Sequence, residues 1–269
     1  MKNGIENLRV ALTGAYGGIG SALAVQLHSA GADLYLIGRN REKLEQLKTS
    51  LGKPTTPTQN VNLLVADLTV TSQLDALTQQ LAELPPINVL INNAGISHFG
   101  LFESTSDQYI DDLVSINVTA VMKLTKRLLP MLTSQDCARI INVGSVFGSL
   151  AYPGFAAYSS SKFALRGFSE ALSREVANSS VSVGHFTARA TDTDINSDSV
   201  VALNKALKTH TDTPQSVAAK LLAFIHSKKL NNKIQWPERL FVQLNSVFPN
   251  VVSKSLNKQL STIQRFAKA

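Results

Sequence analysis

Short apolar runs alternate with stretches of helical period along most of this chain, and that alternation constrains the fold more than any other feature. Runs at 10–12, 34–37, 61–66, 89–91, 140–143 and 181–186 read as buried strands, with a weaker run at 234–236 as a last one. Between them, residues 19–30, 41–51, 74–84, 107–132, the segment carrying Tyr158, and residues 214–227 have helical spacing. Gly31 and Pro85-Pro86 stop two of these helices, while Thr213-Pro214 supplies a cap and an N1 proline for another. Strands separated by helices pair in parallel and need helices on both faces. The expectation is an α/β, doubly wound sheet of about seven parallel strands. No internal repeat or low-complexity linker divides the chain. Residues 1–237 are therefore expected as one domain and 238–269 as a helical extension.

The turn between the first strand and first helix carries Gly14-Ala15-Tyr16-Gly17-Gly18-Ile19-Gly20. Glycines there allow a tight turn and let backbone approach a pyrophosphate, which the helix N-terminus then attracts through its amides and dipole. Strand, turn and helix together give the motif its dinucleotide-binding meaning, and with it the Rossmann form of the fold. The spacing fits two related glycine patterns and does not choose between them. The end of the second strand chooses the cofactor. No carboxylate stands there to take a ribose 2′-hydroxyl; Arg39 follows Gly38 directly, and its planar fork of donors suits a 2′-phosphate. NADP(H) is expected ahead of NAD(H).

Beyond the strand at 140–143, a Gly/Pro-marked loop leads into a helix with Tyr158 and Lys162 one turn apart. A free phenol, with a pKa of about 10, is a poor proton carrier near neutrality. A cation held beside it favours the phenolate, as general acid–base work requires. Ser145, at the end of its strand, can hydrogen-bond the oxygen that gains or loses the proton. A Tyr-x-x-x-Lys pair by itself is weak, and a surface pair on an amphipathic helix is the plainer reading.

The pattern as a whole decides. The glycine turn, Ala66-Asp67-Leu68, Asn92-Asn93-Ala94-Gly95, Asn117, Ser145 and Tyr158-x-x-x-Lys162 follow in order, with the serine thirteen residues before the tyrosine. In this the chain resembles the short-chain dehydrogenase/reductase family over nearly its whole length. The resemblance implies that Tyr158 is the general acid in reduction and base in oxidation. It implies that Lys162 lowers the tyrosine pKa and binds the nicotinamide ribose, that Ser145 polarises the carbonyl, and that Asn117 supports a water-linked proton relay. Asp67 would meet the adenine, Asn93, Ala94 and Gly95 would line the adenosine ribose, and Leu68 and Thr193 would also contact the cofactor. Asn92 would brace its strand. The substrate would be a carbonyl or secondary alcohol, with reduction as the working direction. A non-catalytic NADP-binding sensor is the alternative, and the retained Asn117, Ser145, Tyr158 and Lys162 argue against it.

The chain departs from the family once. After the sixth strand, Ala188-Arg189 stands where relatives carry Pro-Gly. Arg189 is expected either near an anion or in solvent. His98, just past the Asn-Asn-Ala-Gly run, is a weaker candidate for substrate contact, and residues 194–210 are expected as a substrate lid.

Composition narrows the partners. The formal charge of +7 comes from scattered basic residues with no interleaved aromatics, so nucleic acid is not expected. Cys137, the only cysteine, excludes an internal disulfide and a cysteine-based metal site. No signal-like apolar core stands at the N-terminus, and no run reaches the roughly 18–20 residues of a membrane span. A cytoplasmic protein is expected. The tail 238–269 carries Leu240, Phe241, Leu244, Val247, Phe248, Val251, Val252, Leu256, Leu260, Ile263 and Phe266 at helical spacing, with Lys254, Lys258, Arg265 and Lys268 off that stripe. Its expected roles are packing on the domain, an interface in a homodimer or homotetramer, or peripheral contact with the inner face of an anionic membrane.

Overall fold

The computed structural model describes residues 7–268. A sheet of six parallel strands runs in the order β3-β2-β1-β4-β5-β6, formed by β1 (Arg9–Thr13), β2 (Asp33–Gly38), β3 (Val61–Val65), β4 (Val89–Asn92), β5 (Ala138–Ser145) and β6 (Val181–Ala188). The helices that cover it are α1 (Gly18–Ser29), α2 (Arg41–Ser50), α3 (Thr71–Ala82), α4 (Asp107–Val114), α5 (Ala120–Thr133), α6 (Ala156–Glu175), α7 (Asp198–Ala206) and α8 (Pro214–Ile225). The central strands are apolar on both faces, as burial under two helical layers demands. On one face Leu23 and Leu27 of α1 and Val217 and Leu221 of α8 pack on Val10, Leu12 and Leu36. On the other, Leu74 and Leu77 of α3 and Leu124 and Leu128 of α5 pack on Ala11, Tyr35 and Leu90.

β1 pairs with β2 on one side, Leu12 opposite Leu36, and with β4 on the other, Leu12 opposite Ile91. Strand order reverses at this point, which opens a crevice beyond the carboxyl ends of β1 and β4.

Two elements differ from expectation. The seventh strand at 234–236 does not form. The chain beside β6 makes one bridge, Asn231 to His185. The Asn232 side chain then accepts from the Thr187 amide at 2.7 Å and donates to its carbonyl at 3.1 Å, filling the groups a further backbone pair would need. Nor is the helix expected over 107–132 continuous. Between α4 and α5, Ser115–Thr119 form one wide turn of π-helical type. Such turns insert an extra residue and tend to mark functional positions.

A buried polar row crosses the sheet under the site. Asn92 Nδ2 donates to Asn142 Oδ1 at 2.8 Å, and Asn142 Nδ2 donates to Ser169 Oγ at 2.9 Å. Ser169 Oγ lies 3.5 Å from His185 Nδ1. Asn92 thus braces its strand, as expected. His185 is 1% exposed. Burial first, then the charges of Lys162 and Arg166, push its pKa down to about 4. The unfolded chain binds a proton there near 6.5 and the folded one does not. This contribution to stability is complete above 6.5 and lost as the pH falls towards 4. Denaturation at pH 7 and pH 5 is expected to differ by about 2 kcal/mol from this group. The difference should shrink in His185→Asn; an unchanged difference there would assign it elsewhere.

Candidate active site

The crevice continues into one cavity of about 790 Å³. Its floor is the turn after β1. Gly14 has φ +62°, and a Cβ there would lie 2.8 Å from Ala94 Cα, so the two turns meet through backbone alone. Asn93 fastens them, its Nδ2 donating to the carbonyls of Thr13 and Gly14 at 3.1 Å each. The Thr13 hydroxyl accepts from the amides of Asn93 at 2.9 Å and Ala94 at 3.0 Å. Asn93 therefore holds the turn as well as facing the cavity. α1 begins with no side-chain cap and no acidic residue in its first turn. Its free amides and positive dipole end are left for an anion. Thr193 sits directly over Gly18, where a Cβ would collide with it.

Gly14, Tyr16, Gly17, Gly18, Ile19, Arg39, Asp67, Leu68, Asn93, Ala94, Gly95, Ser145, Tyr158, Lys162 and Thr193 all line this cavity. Two expected site residues do not. Gly20 is buried in the turn, packed against the Gly14 carbonyl. Asn117 lies behind Gly95, fully buried. Its Oδ1 accepts from the Ile96 amide at 2.9 Å, and its Nδ2 donates to the Ile96 carbonyl at 2.9 Å and to Ser161 Oγ at 3.0 Å. The wide turn aims Asn117 at backbone and at the helix of Tyr158 rather than at solvent.

At the adenosine end Arg39 is 62% exposed, with its guanidinium 3.9 Å from the Asp67 carboxylate. Burial alone would raise the Asp67 pKa; hydrogen bonds from the Thr69 hydroxyl and amide, then the Arg39 charge, outweigh it and hold the carboxylate below its ordinary value. Lys43, which the sequence marks only as one more basic residue after Arg39, joins this wall with its ammonium 5.7 Å from the Tyr16 ring centroid. Its position in the first turn of α2, facing the strand end, was the available signal.

At the inner end, β5 delivers Ser145 and α6 delivers Tyr158 and Lys162. Lys162 Nζ donates to the Val143 carbonyl at 3.2 Å and lies 5.7 Å from the Tyr158 ring centroid. Burial lowers the Lys162 pKa to about 8. Burial also pushes the Tyr158 phenol up to about 12, against a hydrogen bond with Ser145 that lowers it. Desolvation of the phenolate outweighs that bond, so the phenol is held protonated, against the lowering by Lys162 that was expected.

Arg189 is neither solvated nor free for an anion. Its guanidinium meets Asp212 Oδ1 at 2.6 Å and Glu238 Oε2 at 3.1 Å, with Arg189 and Asp212 side chains only 8% and 9% exposed. Lys220 closes on the other Asp212 oxygen at 2.9 Å. The residue that departs from the family pattern thus ties the loop after β6 to the start of the tail. His98 stacks on Tyr109, with ring centroids 4.5 Å apart, and does not line the cavity.

The tail forms α9 (Glu238–Val247), α10 (Pro249–Asn257) and α11 (Leu260–Ala267). Val252 and Ile263 are buried, whereas Trp236, Val247, Phe248 and Val251 are exposed. Val252 and Leu256 pack with Val146 and Leu150 beside the site.

Among the described residues no cluster of side chains could hold a metal ion, and no helix is long and apolar enough to cross a membrane.

A family model described as short chain dehydrogenase matches residues 9–203. Nodulation protein G of Rhizobium sp. (strain N33) is 39% identical over 65% of this chain and 69% of its own. A 3-oxoacyl-(acyl-carrier-protein) reductase of Rickettsia bellii is 31% identical over 81% of this chain and 88% of its own. Among solved structures, a short-chain dehydrogenase from Sphingobium yanoikuyae in complex with NADPH superposes with a TM-score of 0.75, at 26% identity, over 91% of this chain and 95% of its own.

Proposed function

The chain belongs to the short chain dehydrogenase family, and on that premise we propose an NADP(H)-dependent oxidoreductase that reduces a carbonyl to a secondary alcohol. The observation that carries this reading is the meeting of Ser145, Tyr158 and Lys162 in the same cavity that the glycine turn lines. The similarity to an NADPH-bound structure and to a ketoacyl reductase supports it.

The cradle fits the cofactor. Gly14 leaves no side chain in the way, the uncapped start of α1 offers amides to a pyrophosphate, and Arg39 with Lys43 offers cations to a 2′-phosphate. Asp67 and Leu68 would flank the adenine, and Asn93, Ala94, Gly95, Lys162 and Thr193 the two riboses and the nicotinamide end. When bound, NADPH supplies the hydride. The protein's own residues do the rest. Ser145 Oγ holds the substrate carbonyl oxygen by a hydrogen bond. Tyr158 Oη gives that oxygen its proton as negative charge develops on it. A phenol with a pKa pushed up to about 12 remains protonated at neutral pH, which suits donation and hence reduction. The Lys162 ammonium, beside the ring, then stabilises the phenolate left behind. Asn117 orients this part of α6 through Ser161 and links it to the Ile96 backbone.

In this reading residues 1–237 are the nucleotide-binding and catalytic unit and 238–269 the added part. Exposed Tyr109, Val114 and Met122 on α4 and α5 suit a homo-oligomeric contact, which light scattering would check. A second reading adds peripheral membrane contact: Trp236, Val247, Phe248 and Val251 are exposed near the basic Arg239 and Lys254. Vesicles containing phosphatidylserine should sediment the full chain and not a Val247→Glu, Phe248→Glu variant; equal sedimentation removes this contact.

The cofactor assignment is tested by fluorescence titration. NADPH is expected to bind more tightly than NADH, and Arg39→Ala to cost about tenfold in NADPH affinity, the low end for a charge-assisted contact at an exposed site. Equal affinity for the two cofactors before and after the substitution would reject it.

A further inference from the structure

We infer that the substrate carbonyl is carried on an unbranched aliphatic chain, and that this chain lies in an apolar arm of the cavity roofed by the C-terminal helices. The inference rests on the carbonyl-reductase reading and specifies its substrate.

An aromatic strip leads out from the proposed proton donor. The Tyr158 ring meets Phe147 edge-on at 6.4 Å and Phe155 at 6.2 Å. Phe147 in turn stacks on Tyr152 at 5.2 Å. Tyr152 ends the strip at the tail, its side-chain hydroxyl donating to Gln259 Oε1 at 3.0 Å. The same cavity is lined by Val252 and Leu256 of α10, Phe241 of α9, Val200 and Leu203 of the lid helix α7, and Leu207 just past its end.

The roof is fixed at several points. Asn245 Nδ2 donates to the Ser149 carbonyl at 3.4 Å. α11 packs on α7 and its Ile263 is fully buried. Glu238, at the head of the tail, is held by Arg189. The tail thereby spans from the loop after Ser145 to the lid, along the apolar side of the cavity.

Charge is sparse beside these apolar side chains. Arg189 and Glu238 neutralise each other, and the exposed Asp194, Lys208 and His210 stand before and after α7. A wall of this kind gains free energy from each methylene it removes from water and offers nothing to a short polar chain.

The test uses the full-length protein loaded with NADP+ and titrated by calorimetry with straight-chain 2-alkanones from butanone to decanone. NADP+ cannot reduce them, so the readout is binding. Affinity is expected to rise roughly fourfold per added methylene. Leu256→Trp, which fills the arm from α10, is expected to lower the ratio of decanone to butanone affinity at least tenfold. Should that variant fail to fold, the wild-type series decides by itself. Affinity that does not change with length overturns the arm. Turnover of the same ketones with NADPH keeps the two readings apart. Length-dependent binding with no turnover of any member would reject carbonyl reduction and leave the arm, whereas turnover with flat affinity would reject the arm alone.

Discussion

Tyr158→Phe is expected to lower kcat roughly 10³-fold, within the range that positioned acid–base groups contribute. The substitution removes one oxygen and keeps the ring, so the contacts with Phe147 and Phe155 survive and the fold should be unaffected. NADPH affinity should be unchanged, because the phenol's proposed work is on the substrate oxygen. kcat and kcat/KM should fall together, the mark of an interaction made in the transition state. Steady-state kinetics beside an NADPH titration on the same variant would check both. A variant with near-normal turnover would mean that the proton comes from another group.

The second large effect is on stability. Arg189→Ala removes the guanidinium that joins Asp212 to Glu238, in a place where the Arg189 and Asp212 side chains are almost wholly buried. Removing one partner of a buried pair costs about 3–5 kcal/mol when the other charge is stranded. Here Lys220 still holds Asp212, so the lower figure of about 3 kcal/mol applies. That corresponds to a fall in Tm of about 6 to 12 °C for a domain of this size. The tail should loosen with it, since Glu238 loses its anchor. Limited proteolysis is then expected to cut within 238–269 sooner than in the parent protein. A thermal scan with unchanged Tm would show that the network is spent on desolvation and adds nothing net.

What the sequence made legible was what short segments decide. Strand, glycine turn and helix at 10–30 are local, as is the pairing of Tyr158 with Lys162 on one helix, and these lie where the spacing implied. The sheet has one strand fewer because Asn232, a single side chain, takes the backbone groups of Thr187 that Ile234-Gln235-Trp236 would have extended. Apolar pattern at 234–236 has no way to register that competition. The interruption at Asn117 is equally silent in the sequence: its partner is the backbone of Ile96, on another element. Arg189 is the sharpest case. Whether an arginine there binds an anion depends on Asp212 and Glu238, 23 and 49 residues further along, reaching it first. The helical stripe of the tail was plain, but not which of its residues would roof the cavity, because that depends on how α10 docks on Leu150.

The central claim is that this oxidoreductase moves a hydride from NADPH to a carbonyl carbon while Tyr158 protonates the oxygen. The most direct measurement follows the label from NADPH carrying deuterium at the nicotinamide C4, mixed with the full-length protein and a straight-chain ketone, by mass spectrometry of the product. Deuterium is predicted on the carbinol carbon of the alcohol, at a rate that falls with Tyr158→Phe. NADPH that binds normally yet transfers no deuterium to any ketone or aldehyde offered would contradict the account.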